Sequence, residues 1–287
     1  MPNEITVTVA DAGLQEIWIS EALEGLYEAK KVAKEPVIWV KMMTGKSKGD
    51  NIDFTEFSDS SVNNVGADGT LTNQAITHTQ RQVALSRWRE VTWDVVDRVS
   101  AQSALDYSIE APREQAGALG EDMDDSVLDD HGSFSGNYNI GDTVSPGPMN
   151  IDMILDAEIN LRNTPVPEKE QVHLVLGLRA YAQLFKNELL AGADQSGDGK
   201  GAQVTGQIKT VLGYPVIRTS RVVSTGTPAV LKNFLLGRRA IAMGISSDLN
   251  PEVFRTQKSK RYSTDILYGE AVIRSNFAVV MNTKSAA

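Results

Sequence analysis

The sequence predicts a mixed α+β protein, and three observations carry that prediction. Residues 81–93 alternate apolar and polar side chains with the period of a half-buried strand. The stretches that follow, from Asp94 to Ile109 and from Ala116 to Val127, space their apolar residues as helices do. Beyond a segment rich in glycine and proline, Gly132 to Pro148, helical and aliphatic β-type runs take turns, as in an α/β lobe.

Residues 11–34 read as an amphipathic helix outside any obvious core. Asp11 serves as N-cap, Leu14, Ile17, Trp18 and Ala22 recur at helical spacing, and Pro36 lies beyond the end. Residues 45–80 are polar and punctuated by Gly45, Gly49, Gly66 and Gly69, with two thin alternating runs at Ile52 to Phe54 and Ile76 to His78. This pattern predicts a long hairpin arm, and a two-stranded arm is only marginally stable in water unless neighbours hold it. In the strand at 81–93, Val83, Leu85, Val91 and Trp93 share a face with Arg87 and Arg89, and Ala84, Trp88 and Thr92 lie opposite. Pro112 is expected to kink or divide the helix that follows, because it removes a backbone hydrogen bond and clashes with the preceding turn.

After the boundary at 132–148, a helix is expected from Asn150 to Leu161, a buried strand from Val172 to Leu176, and a helix from Leu178 to Leu190. A Gly-rich loop, 192–206, leads to two short apolar runs hinged at Gly213-Tyr214-Pro215. Glycine supplies the turn there, and Pro215 withholds an amide from any ladder, so the second run is expected to start as an edge or a turn exit. Phe234 to Leu236, Ala240 to Ala242, Val253 to Tyr262 and Ala271 to Met281 supply further strands.

The 287 residues exceed the usual single-domain length of roughly 100 to 200, so one large domain or two closely joined ones is expected, and 41% hydrophobic content suffices for a core. The absence of cysteine excludes disulfides, thiolate nucleophiles and Cys-based zinc sites and suits a reducing cytoplasm. The first residues lack the basic start and apolar core of a signal peptide. No run approaches the ~18 apolar residues that span a bilayer, so a soluble protein without membrane contact is expected. The net charge of −9 argues against a protein dedicated to gripping phosphates. Charge is also unevenly placed: residues 1–150 hold 11 Lys and Arg against 25 Asp and Glu, and residues 151–287 hold 17 against 12. Such asymmetry suits copies that meet acidic half to basic half, and it suits two differently solvated faces equally well.

Motifs for chemistry fail on inspection. Gly45-Lys46-Ser47 ends like a phosphate-binding loop, but Val40 stands where its first glycine belongs. Asp194 to Gly199 opens like a calcium loop, but Thr205 occupies the position of the bidentate glutamate. Gly132 to Gly136 has the glycines of a nucleophile elbow with Phe134 in place of the nucleophile. The cluster Glu121, Asp122, Asp124, Asp125, Asp129, Asp130 and His131 reads as a solvated, repulsive face, not a cation site. His78, His131 and His173 have no partner at motif spacing. No catalytic residue, cofactor site or metal site is therefore expected. Arg255, Lys258, Lys260 and Arg261, bracketed by Phe254 and Tyr262, read as a strand face or a contact to an acidic neighbour.

The order of these pieces resembles the Hong Kong 97 fold of tailed-bacteriophage major capsid proteins. Pro165 to Leu190 is similar to the start of that family's axial domain, Gly206 to Val216 to its paired strands, Gly237 to Ala242 to a strand edge, and Tyr268 to Met281 to its closing strands. The resemblance implies an N-terminal arm at 1–40, an extended loop at 41–85, a peripheral domain with a long spine helix at 86–145, an axial domain at 146–249, and return strands of the peripheral domain at 250–287. It implies a shell protein without catalytic site that assembles with many copies of itself as pentamers and hexamers around double-stranded DNA. Separate scaffolding, portal and decoration proteins are the implied partners, with only weak non-specific DNA contact. Assembly in the host cytoplasm and residence in the virion follow. Candidate intersubunit contacts are Asn63, Asn64 and Asp68 on the arm, and Arg87, Arg89, Arg255, Lys258 and Arg261 on the strands. Two other readings stay open from sequence: an encapsulin-like bacterial shell, and a soluble α/β enzyme using scattered residues such as His173, Asp194 and Arg218.

Overall fold

The computed structural model describes residues 19–43, 51–57, 62–65, 69, 78–98, 107–134, 136–139, 141–142, 145–163, 171–186, 207–226, 229–246, 249–256 and 258–284. Its first element is a helix over 19–29 (α1), shorter at its C-terminal end than the spacing predicts. The chain leaves the helix because the turn after it has a competing acceptor: Asp124 takes hydrogen bonds from the amides of Lys31 (2.7 Å), Val32 (3.0 Å) and Ala33 (2.7 Å). The helix also joins the main core, contrary to expectation, through Ala22 and Leu26.

The alternating stretch at 81–93 is not one strand. It divides at Leu85-Ser86 into β3 (His78–Ala84), which pairs with β2 (Asn51–Phe57) in the arm, and β4 (Arg87–Val96), which pairs with β15 (Ser259–Val272). Asp94 and Val95, expected in a helix, end β4, because their backbones are taken by Arg261 and Lys260 across the ladder. The long helix α2 runs unbroken over Tyr107–Asp129 with Pro112 inside it. Burial of Ala111, Ala116, Leu119, Met123, Val127 and Leu128 along one side outweighs the lost backbone bond at the proline.

Two sheets organise the molecule. In the first, β15 pairs along one edge with β13 (Ile241–Ile245) and then β14 (Asn250–Thr256), and along the other with β4; β1 (Trp39–Met42) lies parallel to β13. The second has the order β5 (Gly136–Asn139), β16 (Ala278–Lys284), β12 (Val230–Gly237), β8 (Val172–Gly177), β10 (Tyr214–Thr219) and β9 (Thr210–Val211). Short β11 (Ser224–Thr225) pairs with β12, and β6 (Gly141–Asp142) with β7 (Ser145–Pro146). The pairing cuts across the expected boundaries: β13 from 146–249 belongs to the first sheet, and β16 from 250–287 to the second. The run from Ala271 to Met281 is likewise two strands, since β15 ends at Val272 and a turn precedes Ala278; Val253 to Tyr262 spans the β14–β15 hairpin.

Other elements follow the sequence closely. Asn150 caps α3 (Ile151–Arg162) by accepting from the Met153 amide at 2.8 Å. Every residue of β8 is buried, as its aliphatic run requires, and α4 (Leu178–Phe185) follows directly. The β9–β10 turn is centred one residue earlier than expected, on Leu212 and Gly213, with φ of 51° and 83°. Two successive positive φ values give the hairpin turn whose twist matches its strands. Pro215 precedes the parallel pairing with β8, which begins at Val216, so its missing amide leaves no bond unmade in that ladder. The motif positions 44–50, Asp194 to Thr205, Pro165 to Pro167 and 187–190 lie outside the described residues.

The arm is seated on the first sheet at its base. Ile52, Phe54, Val83 and Leu85 bury against Ala242 and Ile273, and Trp39 meets Phe54 edge-on with ring centroids 4.9 Å apart. The close approach depends on two glycines that are cross-strand partners, Gly244 and Gly269. A Cβ at Gly244 would lie 2.8 Å from Ile52 Cδ1, and one at Gly269 would overlap the carbonyl of Ala84. Gly269→Ala is expected to lower subunit stability by about 1–3 kcal/mol through overpacking and to speed proteolysis within the arm. Urea unfolding and limited digestion of unassembled protein read both effects.

Candidate assembly surface

The first sheet presents two polar faces, and each cation predicted from sequence can be located on them. On the open face, Arg261 of β15 grips Asp94 of β4 with two hydrogen bonds, 2.7 and 2.9 Å. The bonds from Arg261 hold the Asp94 carboxyl below the ordinary aspartate range. Next along the ladder, Glu90 accepts from Thr92 and from Ser263, and Trp88 donates its indole N–H to Asp265 at 2.8 Å. Trp88 is otherwise 73% exposed, and Phe254 of β14 is exposed on the same sheet. Arg255 lies 3.6 Å from Asp97, and the Lys258 carbonyl accepts from the Asp97 amide at 3.0 Å.

On the face toward α2, Arg89 lies 3.1 Å from Asp122, which also accepts from the Tyr268 hydroxyl at 2.6 Å. Burial, with the bond to Asp122 second, pushes the tyrosine up to about 12. Gln115 bridges deeper in, donating to the Tyr262 carbonyl and accepting from Thr264. Arg87 pairs with Glu270, whose side chain is only 5% exposed. Asp130 lies close by at the end of α2, and burial followed by the Glu270 charge pushes its carboxyl up to about 6. Oδ2 of Asp130 and Oε2 of Glu270 are both buried without a hydrogen-bond partner.

The acidic run 121–130 is only in part the solvated face its composition suggests: Glu121 and Asp129 are exposed, and most of its other acids are engaged. Asp124 is buried on three amides, Asp122 joins Tyr268 and Arg89, Glu121 and Asp125 both meet Arg221, and Asp130 faces Glu270. The helical spacing that sends these carboxylates in several directions sends them to the turn at 31–33, to β15 and to Arg221. Among the described residues, no group of three or more His, Asp or Glu side chains could hold a metal ion. His173 is buried on β8, Arg218 stands on β10 over the Tyr181 ring, and Phe134 is a core residue against Phe234. On the arm, Asn63 and Asn64 are exposed, while Asp68 lies outside the described residues. Sequence reasoning missed Glu270, Tyr268, Asp124 and the glycine pair. Only Tyr268-Gly269-Glu270 carries any local signal, a glycine between two large residues in an otherwise β-type run.

A family model for "phage capsid protein" matches residues 39–274. No curated protein matches the chain by sequence. Among solved structures, one from Mycobacterium phage Che8 is similar with a TM-score of 0.65 and 21% identity over 82% of this chain and 85% of that one. The capsid of cyanophage P-SCSP1u gives 0.67 and 15% over 87% of each chain. The head of Helicobacter pylori bacteriophage KHP40 gives 0.66 and 12% over 85% and 88%.

The pairing of Arg87 sets a limit on charge reversal. Arg87→Glu adds a carboxylate beside buried Glu270 and Asp130 and is expected to destabilise the subunit by about 3 kcal/mol or more. Arg255→Glu, on a side chain 73% exposed, should shift stability by no more than about 0.5 kcal/mol. Urea midpoints of the two variants check the contrast. Asp130 gives a pH dependence. Its folded pKa lies above the ordinary aspartate value, so the native state holds a proton that the unfolded chain has released, and stability falls as pH rises from about 4 to 6. Asp130→Asn removes that penalty. Discounted for partial solvent exposure, the gain is about 1 kcal/mol at pH 7 and none at pH 4, measured as a difference in unfolding free energy.

Proposed function

Because this chain belongs to the phage capsid protein family and is a structural major capsid protein, we propose that its copies close into an icosahedral shell of pentamers and hexamers by laying each arm on a neighbour. The observation that carries this reading is the way the β2–β3 arm is held. Among the described residues its apolar contacts with its own subunit are at the base, through Ile52, Phe54, Val83 and Leu85, while residues 62–65 farther along are exposed, Val62 by 98%. A two-stranded ribbon gains its stability from what covers it, and a second copy supplies that cover.

On this reading the first sheet with α2 is the peripheral region, and the second sheet with α3 and α4 is the axial lobe that clusters around the symmetry axes. Exposed Trp88 and Phe254 on the first sheet, and Leu155, Ile159, Leu178 and Leu212 on the second lobe, are apolar positions for contact between copies. Arg255 and Lys258 stand at the rim of the first sheet and remain candidate contacts, with Asn63, Asn64 and Asp68 on the arm. Arg87, Arg89 and Arg261 contribute by holding the sheet in shape, since each is engaged with a carboxylate of its own chain. Repeated weak contacts around closed symmetry make a durable particle. The excess of carboxylates lets packaged double-stranded DNA lie inside with only weak contact. Scaffolding, portal and decoration proteins are separate partners, assembly takes place in the host cytoplasm, and the role is mechanical, without a reaction.

Negative-stain microscopy of the purified protein should show uniform closed shells or capsomer rings; a protein that stays monomeric at all concentrations overturns the proposal. Deleting residues 58–72 should leave the circular dichroism spectrum and the urea midpoint of the subunit within error of the intact protein. Particle yield by sedimentation should fall at least tenfold.

A further inference from the structure

A cleft of about 400 Å³ between the turn after α1 and the second lobe is lined by Lys31, Lys34, Lys209 and Arg218. Four cations around one concavity are unexpected in a protein of net charge −9. The lining contains no carboxylate, and among the described residues none of the four is in an ion pair with one. Asp124 accepts from the three amides of the Lys31 turn while its charge acts on Lys34, and Glu121 and Asp125 are engaged with Arg221.

The cations are also held in place. The Asp124 bonds fix the backbone that carries Lys31 and Lys34. The Tyr181 hydroxyl accepts the Ile208 amide at 2.7 Å, beside Lys209, and the Lys209 carbonyl accepts the Val216 amide at 2.9 Å. Arg218 stands over the Tyr181 ring with its guanidinium carbon 5.3 Å from the centroid. Four like charges gathered on a fixed frame repel one another, and an anion entering the cleft relieves that repulsion.

We propose that this cleft receives the arm of a second copy of the chain. The arm's stretch of sequence is uniformly acidic: Asp50, Asp53, Glu56, Asp59 and Asp68 fall in it, no Lys or Arg occurs between Lys48 and Arg81, and Asp53 on β2 is exposed. Its carboxylates are opposite in sign to the cleft, and its side chains are of a size to enter a cavity of 400 Å³. The inference rests on the arm being an intersubunit element and names the surface it meets. Because the contact is ionic and partly exposed, assembly should weaken as salt rises above the ~0.15 M at which charges are screened over about 8 Å.

The test uses particles assembled from equal amounts of ¹⁵N-labelled and unlabelled protein, coupled with a zero-length carbodiimide and analysed by mass spectrometry. Mixed-isotope peptides joining Lys31, Lys34 or Lys209 to Asp50, Asp53, Glu56, Asp59 or Asp68 are expected. Lys209→Glu/Arg218→Glu should cut particle yield at least tenfold with an unchanged urea midpoint, and adding Glu56→Lys/Asp59→Lys should restore part of it. Particles whose cleft lysines form no mixed-isotope links to the arm overturn the proposal. So does a Lys209→Glu/Arg218→Glu variant that assembles normally but retains less DNA, which would assign the cleft to phosphate. If the 58–72 deletion assembles normally, the arm reading itself falls; if it fails to assemble while the links are absent, only the cleft assignment falls.

Discussion

The polar side of the long helix α2 is the constraint on which the rest of the structure depends. A carboxylate buried away from water must be surrounded by donors, and Asp124 meets that demand by drawing in three consecutive amides of the turn at 31–33. That turn leads the chain into β1 and so fixes where the first sheet begins. Other polar groups of the same helix reach outward in turn: Gln115 and Asp122 to β15, and Glu121 and Asp125 to Arg221 beyond the second sheet's β10. One helix thus joins the N-terminal segment, the first sheet and the second lobe through directed bonds that a purely apolar side could not specify.

The apolar core beneath these bonds is continuous across both sheets, and it lets the strands change partners between them. Crossing from β12 in the second sheet to β13 in the first takes only the turn at 238–240, where Ala240 is fully buried. The return from β15 to β16 takes only residues 273–277. Buried Asn233 stitches the second sheet from within, accepting from Gly177 and donating to Thr283 at 2.8 Å each. Ties of this kind hold the strands together from within, which suits a protein whose useful surfaces lie on its outside.

Those surfaces differ in how they are prepared. The arm is anchored by apolar packing at a glycine slot and leaves the sheet there. The sheet faces carry cations already paired with carboxylates of the same chain, so they stiffen the subunit. The cleft between the turn after α1 and the second lobe gathers four cations that, among the described residues, are in no ion pair, and an excess of one charge on a fixed frame is what a partner can use.

Much of this was legible in the chain itself. The α+β class, the hairpin arm, the long helix, Asn150 as a cap, the buried strand from Val172 and the turn near Gly213 follow from local rules of propensity, capping and periodicity, which act over a few residues. What the sequence could not decide was partnership across distance. It showed one strand at 81–93 because both halves alternate in the same phase, and only packing assigns one half to β2 and the other to β15. It showed the acids of 121–130 as a solvated run because charge density is local, while the amides, tyrosine and arginines that engage them come from as far as 146 residues away. The cationic lining of the cleft is scattered from Lys31 to Arg218, so no window along the chain contains it. Local chemistry determined the elements; long-range burial decided which charges are satisfied within the subunit and which remain for its neighbours.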